Sequence, residues 1–284
     1  RLYSVMVYDS VRQRLVLFGG QGQQGRLNDT WEWDGTSWTL RSGVMNPPAR
    51  QNHGMAFDRE RGVTVLFGGN GNGSATYLQD LWEWDGSAWV SQGGFGPAGR
   101  IEPVMAFDPV RRDVLMHGGF VASGTVQTIT NDSWSWDGAS WHQHLSLTPP
   151  PVRTYPRLVS DFDRQRVVLH GGNLGDSFAW EWDGAEWNIM LQASPGTRYG
   201  HGMAYDPIGR RVVVFGGVVG TYRLDDTWIY QTPTPADVEA FGSGCPGTAG
   251  TPELLNAPFS LPWIGDTHHN RVTNLAPTSA GAFF

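Results

Sequence analysis

Short apolar runs that stop at a glycine pair recur along the chain as "RLVLFGG", "VTVLFGG", "DVLMHGG", "RVVLHGG" and "RVVVFGG", with first glycines at Gly19, Gly68, Gly118, Gly171 and Gly216. Between them lies a second pattern in which tryptophan alternates with polar residues. "NDTWEWDGTSW" (28–38) returns as "QDLWEWDGSAW" (79–89), "NDSWSWDGASW" (131–141) and "SFAWEWDGAEW" (177–187). Alternation of this kind is the mark of a half-buried strand. An arginine stands 18 residues before each first glycine (Arg1, Arg50, Arg100, Arg153, Arg198) and an aspartate ten before it (Asp9, Asp58, Asp108, Asp161, Asp206). That register makes Asp161, not Asp163, the equivalent residue of the fourth repeat.

The arginine-to-arginine periods are 49, 50, 53 and 45, and one segment carries the variation. From the first glycine to the first Trp of the motif the steps are 12, 14, 16 and 9, whereas the return from that Trp to the next arginine is 19, 18, 19 and 18. Each repeat reads as four short strands, in the first near Ser4–Tyr8, Leu15–Phe18, Thr30–Trp33 and Ser37–Leu40. Asp34-Gly35 marks the last hairpin. A two-residue turn would face Trp33 with Thr36, and a four-residue turn would face it with Trp38; either leaves all three Trp on one face.

Four-stranded antiparallel meanders at a period near fifty predict an all-β fold, a β-propeller in which a ring of blades buries what one blade cannot. The Trp rings then read as inter-blade core. The alternative is an exposed platform for sugars, which recurrence on one face of every repeat disfavours. The Gly-Gly after the second strand, the "ND-x-W" opening the third and the Trp of the fourth resemble the kelch repeat, over residues 1–231 with repeats starting at 1, 50, 100, 153 and 198. The resemblance implies a kelch-type propeller with five repeats visible. The chain departs from it in its compact "WDGxxW" hairpin, in Phe178 where other repeats carry Asp, and in a fifth repeat that stops at "DDTWIYQTPTP". A missing fourth strand for that repeat is sought in "DVEAF" (237–241) or in residues before Arg1.

Residues 232–284 do not repeat. A Pro/Gly-rich linker is followed by "WIGDTHHNRVTNLAPTSAGAFF", which alternates like the start of another β module. This tail resembles the C-terminal segments of large secreted bacterial proteins, notably of planctomycetes. The resemblance implies an extracellular or cell-surface location, and a partner beyond Phe284 for Cys245, the single cysteine.

Composition narrows the function. All 20 basic residues are arginine and the net charge is −7, which argues against nucleic-acid binding. No window approaches 18 apolar residues, so no transmembrane helix is expected. The glycine count of 38 and proline count of 18 suit many short strands and turns.

Catalytic patterns are sparse. No G-x-S-x-G, H-E-x-x-H, Walker or EF-hand pattern is present. A copper site like that of galactose oxidases would need a cysteine within the repeats, and the contiguous Asp-Gly lacks the spacing of a sialidase aspartate box. "DFD" (161–163) and "LDD" (224–226) offer few oxygens for calcium. His117 and His170 replace Phe before Gly-Gly in adjacent repeats. They are the weak metal candidates, read first as fillers of an aromatic slot that hydrogen-bond a carbonyl. His53 and His201 read as structural, and His268-His269 make a poor chelate. No cofactor is expected.

Two functions remain. One is a non-enzymatic secreted or surface module that binds a protein or glycan or builds an assembly. The other is a propeller-fold hydrolase, lyase or oxidase with an unrecognised site. The lack of a catalytic set favours the first. In a meander the loops after strands two and four share one edge, which holds all the variable segments (21–28, 70–79, 120–131, 173–177, 218–225) and is expected to bind. Each recurring arginine is expected to pair with the Asp opening strand three (Asp29, Asp80, Asp132, Asp226). Phe178 breaks that pairing in repeat four, with only the displaced Asp176 nearby, and leaves Arg153 as the cation expected to be free. Candidate contacts are Arg153, Arg100, Phe120, Thr130, Tyr77 and Arg223.

Overall fold

The computed structural model describes residues 1–41, 45–72, 77–93, 95–123, 126–190 and 195–231, together with the strands Glu253–Asn256 and Asn270–Thr273, which pair antiparallel. Cys245, His268, His269 and the segment 237–241 lie outside the described residues. The repeats fold as five blades. Blade 1 consists of Val5–Asp9, Arg14–Gly22, Gly25–Trp33 and Trp38–Arg41, and blade 2 of Gly54–Asp58, Val63–Phe67, Leu81–Trp84 and Trp89–Gln92. Blade 3 is Val104–Asp108, Asp113–Ser123, Val126–Trp136 and Trp141–His144; blade 4 is Arg157–Asp161, Arg166–His170, Ala179–Trp182 and Trp187–Met190. Blade 5 has three strands among the described residues, Gly202–Asp206, Arg211–Val219 and Tyr222–Gln231. Strands pair in chain order within each blade, all antiparallel, so the all-β propeller expected from the repeats is the fold of residues 1–231.

Strands two and three run longer than the sequence suggests in blades 1, 3 and 5. The glycine pair does not end the strand there. It forms a bulge, with the register shifting between Phe18 and Gly20, His117 and Gly119, and Phe215 and Gly217, and the ladder then continues as a hairpin. Both glycines have positive φ, for example 63° and 108° at Gly118 and Gly119, which glycine adopts without a Cβ penalty. Three of the segments expected to be variable loops are therefore largely β-ribbons.

The last hairpin takes the four-residue turn. Trp33 faces Trp38, Trp84 faces Trp89, Trp136 faces Trp141 and Trp182 faces Trp187. The Asp of each Asp-Gly selects this register with its side chain. Asp34 Oδ1 accepts from the backbone N–H of Thr36 and Ser37, both at 2.8 Å, and Asp85, Asp137 and Asp183 repeat the arrangement.

The tryptophans form most of the blade-to-blade core. Trp84 and Trp89 of blade 2 pack with Val16 and Phe18 of blade 1, Trp136 of blade 3 with Val65 and Phe67 of blade 2, and Trp182 and Trp187 of blade 4 with Leu115 of blade 3. In blade 5 Tyr230 fills the corresponding place against Val168 and Ala179. Buried indoles need acceptors, and strand three of the preceding blade supplies them. Trp84 donates to Glu32 at 3.0 Å and Trp136 to Glu83 at 2.7 Å, while Trp89 and Trp187 donate to the hydroxyls of Thr30 and Ser133 at 2.8 and 2.9 Å. Blade 3 carries Ser135 where that glutamate would stand, and Trp182 turns instead to Asp108 at 2.7 Å.

The core reading of the tryptophans stops at blade 1. Trp33 is half-buried and Trp38 is 44% exposed, and Phe215 on the far side of blade 5 is 57% exposed. Among the described residues no buried cluster joins blade 5 to blade 1.

Histidine replaces the slot phenylalanine twice. His117 packs edge-on to Trp187 and its Nδ1 meets the Ser133 hydroxyl at 3.0 Å; His170 lies beside His201 and Tyr230. The slot is filled as expected, with a hydroxyl rather than a carbonyl as the partner of His117. Burial pushes His117, His170 and His53 down to about 3 and His201 to about 4.

Two consequences are measurable. Trp84→Ala is expected to cost about 3–5 kcal/mol in urea unfolding, and Trp38→Ala less than about 1 kcal/mol; equal losses would contradict the packing direction. The depressed histidines favour the neutral form in the fold, so their contribution is present above the ordinary histidine pKa and is lost as pH falls from near 6.5 toward about 3. His117→Phe is expected to flatten this acid limb, and an unchanged limb would show that His117 does not titrate with folding.

Candidate functional site

The edge with the variable segments is organised by the recurring arginines. Arg50 is buried. Its Nε donates to Pro48 O at 2.9 Å, Nη1 to Gly68 O at 2.8 Å, and its two terminal nitrogens to the Asp80 carboxylate at 2.8 and 2.6 Å. Arg100 repeats this with Ala98 O, Gly118 O and Asp132, and Arg198 with Pro195 O, Gly216 O and Asp226. The same aspartates accept the indole N–H of the first Trp of the motif, at 2.7 Å for Trp82 and Trp134. The glycine pair also reaches the next blade. Gly69 N donates to Arg100 O at 2.8 Å, and Gly172 N to Arg198 O at 2.7 Å. A Cβ on Gly68 would lie 2.6 Å from Arg100 O, so glycine is required there on space as well as on φ.

Arg153 is not free. Asp176, two residues before the vacated position, takes over the pairing and accepts from Arg153 Nη2 at 3.0 Å and from the Trp180 indole at 3.0 Å. Arg153 is 3% exposed, held also by Gly171 O and Pro151 O, while Phe178 points outward. The shorter loop of repeat four lets the displaced carboxylate reach the same guanidinium, by one contact rather than two. Arg100 is equally internal. Phe120 and Thr130 lie on the blade 3 ribbon, with the Thr130 hydroxyl donating to Gly119 O at 3.2 Å, and Arg223 is exposed on the blade 5 ribbon. Of the six candidates only Tyr77 belongs to a convergent group. Among the described residues no set of three His, Cys, Asp or Glu side chains is placed to hold a metal, and His117 and His170 are engaged in the core.

The convergent group comes from positions the sequence did not single out. The residue two after each arginine has left-handed backbone: Tyr3 (φ 55°), Asn52 (55°), Glu102 (59°), Tyr155 (56°) and Gly200 (66°). The geometry follows from the strand order. The residue after each arginine bridges the strand beyond the glycine pair, as Leu2 does to Gln21 and Thr154 to Asn173, and the chain must then step sideways into strand one. Strand one of each of blades 1 to 4 lies beside strand one of the next, so these positions share the inner, axial side of the blades. Asn52 N donates to Tyr3 O at 3.1 Å and Glu102 N to Asn52 O at 2.7 Å, linking blades 1, 2 and 3. Four of these residues are not glycine, although such a φ costs a non-glycine residue roughly 1–2 kcal/mol.

Their side chains form an axial mouth. Glu102 lies beside the Tyr155 hydroxyl and within electrostatic reach of Arg157 and Tyr77. Glu102 Oε2 is buried without a hydrogen-bond partner among the described residues. Burial raises its pKa to about 7, against the opposing pull of Tyr155 and Arg157. Tyr3 and Tyr155 are 55% and 42% exposed, and the Tyr199 ring stands 6.5 Å from that of Tyr155. Arg157 Nε and Nη1 donate to His201 O and Pro156 O at 3.2 and 3.3 Å. A carboxyl that can accept or donate, ringed by phenols and a guanidinium, suits a small polar ligand with one flat face. A sequence signal did exist. Within a repeat that keeps its arginine, the position two residues on reads Tyr, Asn, Glu, Tyr, Gly.

No family model matches the sequence, and no curated protein matches it. The fold has a solved counterpart in the structure of YjhT, a kelch-repeat protein, at 13% identity and a TM-score of 0.61 over 81% of each chain. At that identity the likeness speaks to fold alone, and it places residues 1–231 among the β-propellers as five blades of mostly four antiparallel strands.

Proposed function

We propose that the protein is a non-enzymatic binding module of the cell exterior that holds a carbohydrate at the axial mouth. The observation that carries this reading is Glu102. Its buried Oε2 lacks a partner, where a sugar hydroxyl would supply one, and exposed tyrosines flank it as stacking faces. Four non-glycine residues in left-handed backbone at one set of equivalent positions support a use for their side chains beyond folding. The extracellular setting rests on the resemblance of residues 232–284 to tails of secreted bacterial proteins.

One observation favours a second reading. A glutamate whose pKa stands near 7 is poised for general acid–base work, so the same mouth would serve a propeller-fold enzyme. The two readings differ in turnover.

Screening the protein on a glycan array, followed by calorimetric titration of the best glycan, tests both. Glu102→Gln and Tyr155→Ala are each expected to weaken binding about tenfold or more. Binding should strengthen as pH rises through about 7, because the ionised carboxylate is the better acceptor. A glycan bound equally well by both variants would overturn the mouth as the site. Conversion of the bound glycan by the wild type, abolished in Glu102→Gln with binding retained, would replace the first reading by the second.

A further inference from the structure

The opposite edge of the propeller carries the turns after strand one, and these are built alike. The aspartate ending strand one caps the turn with Oδ1, as Asp58 does for the N–H of Glu60 and Arg61, both at 3.0 Å. The residue four beyond it is left-handed in every blade, at Gln13, Gly62, Arg112, Gln165 and Arg210. Ion pairs join neighbouring turns across two blade boundaries. Arg112 of blade 3 grips Glu60 of blade 2 with Nε at 3.0 Å and with Nη2, and Arg210 of blade 5 grips Asp163 of blade 4 with Nε at 2.6 Å.

Between blades 3 and 4 the corresponding residues are Val110 and Gln165, and no such pair forms. An open depression of about 240 Å³ lies over the turns of blades 2, 3 and 4, lined by Arg59, Glu60, Phe107, Pro109, Arg112, Phe162 and Gln165. Its floor is aromatic, with the Phe107 and Phe162 rings 6.4 Å apart. Its lip is cationic. The Glu60 carboxylate is engaged by Arg112, whereas Arg59 has no ion pair among the described residues. Its guanidinium carbon stands 4.6 Å from the centre of the Phe162 ring. Two guanidinium groups against one carboxylate leave one positive charge beside the two phenylalanine rings.

We propose that this depression binds a small free organic acid with a single aromatic ring, the carboxylate on Arg59 and the ring against Phe107 and Phe162. Arg59 is already oriented by Phe162, so its fork faces a planar anion with little further ordering. The volume lies below the roughly 300 Å³ at which pockets for drug-sized ligands begin, which points to one ring rather than to a longer chain. The site is independent of the axial mouth on the other edge.

The test titrates the protein with benzoate and with the neutral analogue benzyl alcohol, followed by the ring resonances of Phe107 and Phe162 in an NMR spectrum. Benzoate is expected to bind with a dissociation constant in the millimolar range and benzyl alcohol about tenfold more weakly. Arg59→Gln should weaken benzoate about tenfold and leave benzyl alcohol unchanged. Phe162→Leu should weaken both, and Glu102→Gln neither. Arg59 is exposed and lies in a turn, so its replacement leaves the fold intact, which an unchanged urea midpoint would establish. Failure of benzoate to shift these resonances, or equal binding to the wild type and Arg59→Gln, would overturn the proposal.

Discussion

A guanidinium buried at one edge of the blades ties three things together. Its fork holds the carboxylate that opens strand three, its Nη1 holds the first carbonyl of the glycine pair, and its own carbonyl in blades 3 and 5 receives an N–H from the glycine pair of the preceding blade. Burying this charge is unfavourable by itself, and a buried ion pair gains stability only when its geometry and remaining hydrogen bonds are complete. Here strands two and three meet their neighbours through the same group. The constraint explains why repeats that vary in loop length hold the arginine and the glycine pair at one fixed spacing of 18 residues.

Blade-to-blade contact adds a direction to that frame. Blades 2, 3 and 4 each offer tryptophans to the blade before, and blade 5 offers Tyr230 in their place, so the two faces of a blade differ chemically. One presents indoles, the other aliphatic residues with a carboxylate or hydroxyl placed for an indole N–H. The same asymmetry leaves Trp38 exposed on blade 1 and Phe215 exposed on blade 5, since neither faces a complementary blade among the described residues. The arginine frame also defines the axial mouth, because the chain leaves each guanidinium, steps through a left-handed residue and enters the innermost strand.

The five repeats, their strand order and the tryptophan core were legible because each rests on a local pattern repeated at fixed spacing. Hairpin register was not, because Asp-Gly serves both two-residue and four-residue turns, and the side-chain bonds of Asp34 decide between them. Arg153 departs from the pattern of its repeat for a related reason. Spacing showed that its partner's position holds Phe178 but not that a loop three residues shorter than that of blade 1 brings Asp176 within reach. Glu102, Tyr155 and Tyr3 escaped notice because convergence around an axis joins residues some fifty positions apart, one from each blade, and no window along the chain contains two of them. Their one local sign is variability at a fixed place in a constant frame, which reads equally well as tolerance until the backbone conformation is known.

The claim that the guanidinium–carboxylate pair organises the blades is tested most directly by a double-mutant cycle on Arg100 and Asp132 in urea unfolding. Each single replacement, Arg100→Met and Asp132→Ala, is expected to cost about 3–5 kcal/mol, because each leaves a buried or half-buried charge unpaired. The double variant should cost no more than the worse single one, a coupling above about 2 kcal/mol. Additive losses, with coupling below about 0.5 kcal/mol, would show that the two residues act separately and that the glycine pair and the tryptophans hold the blades without them.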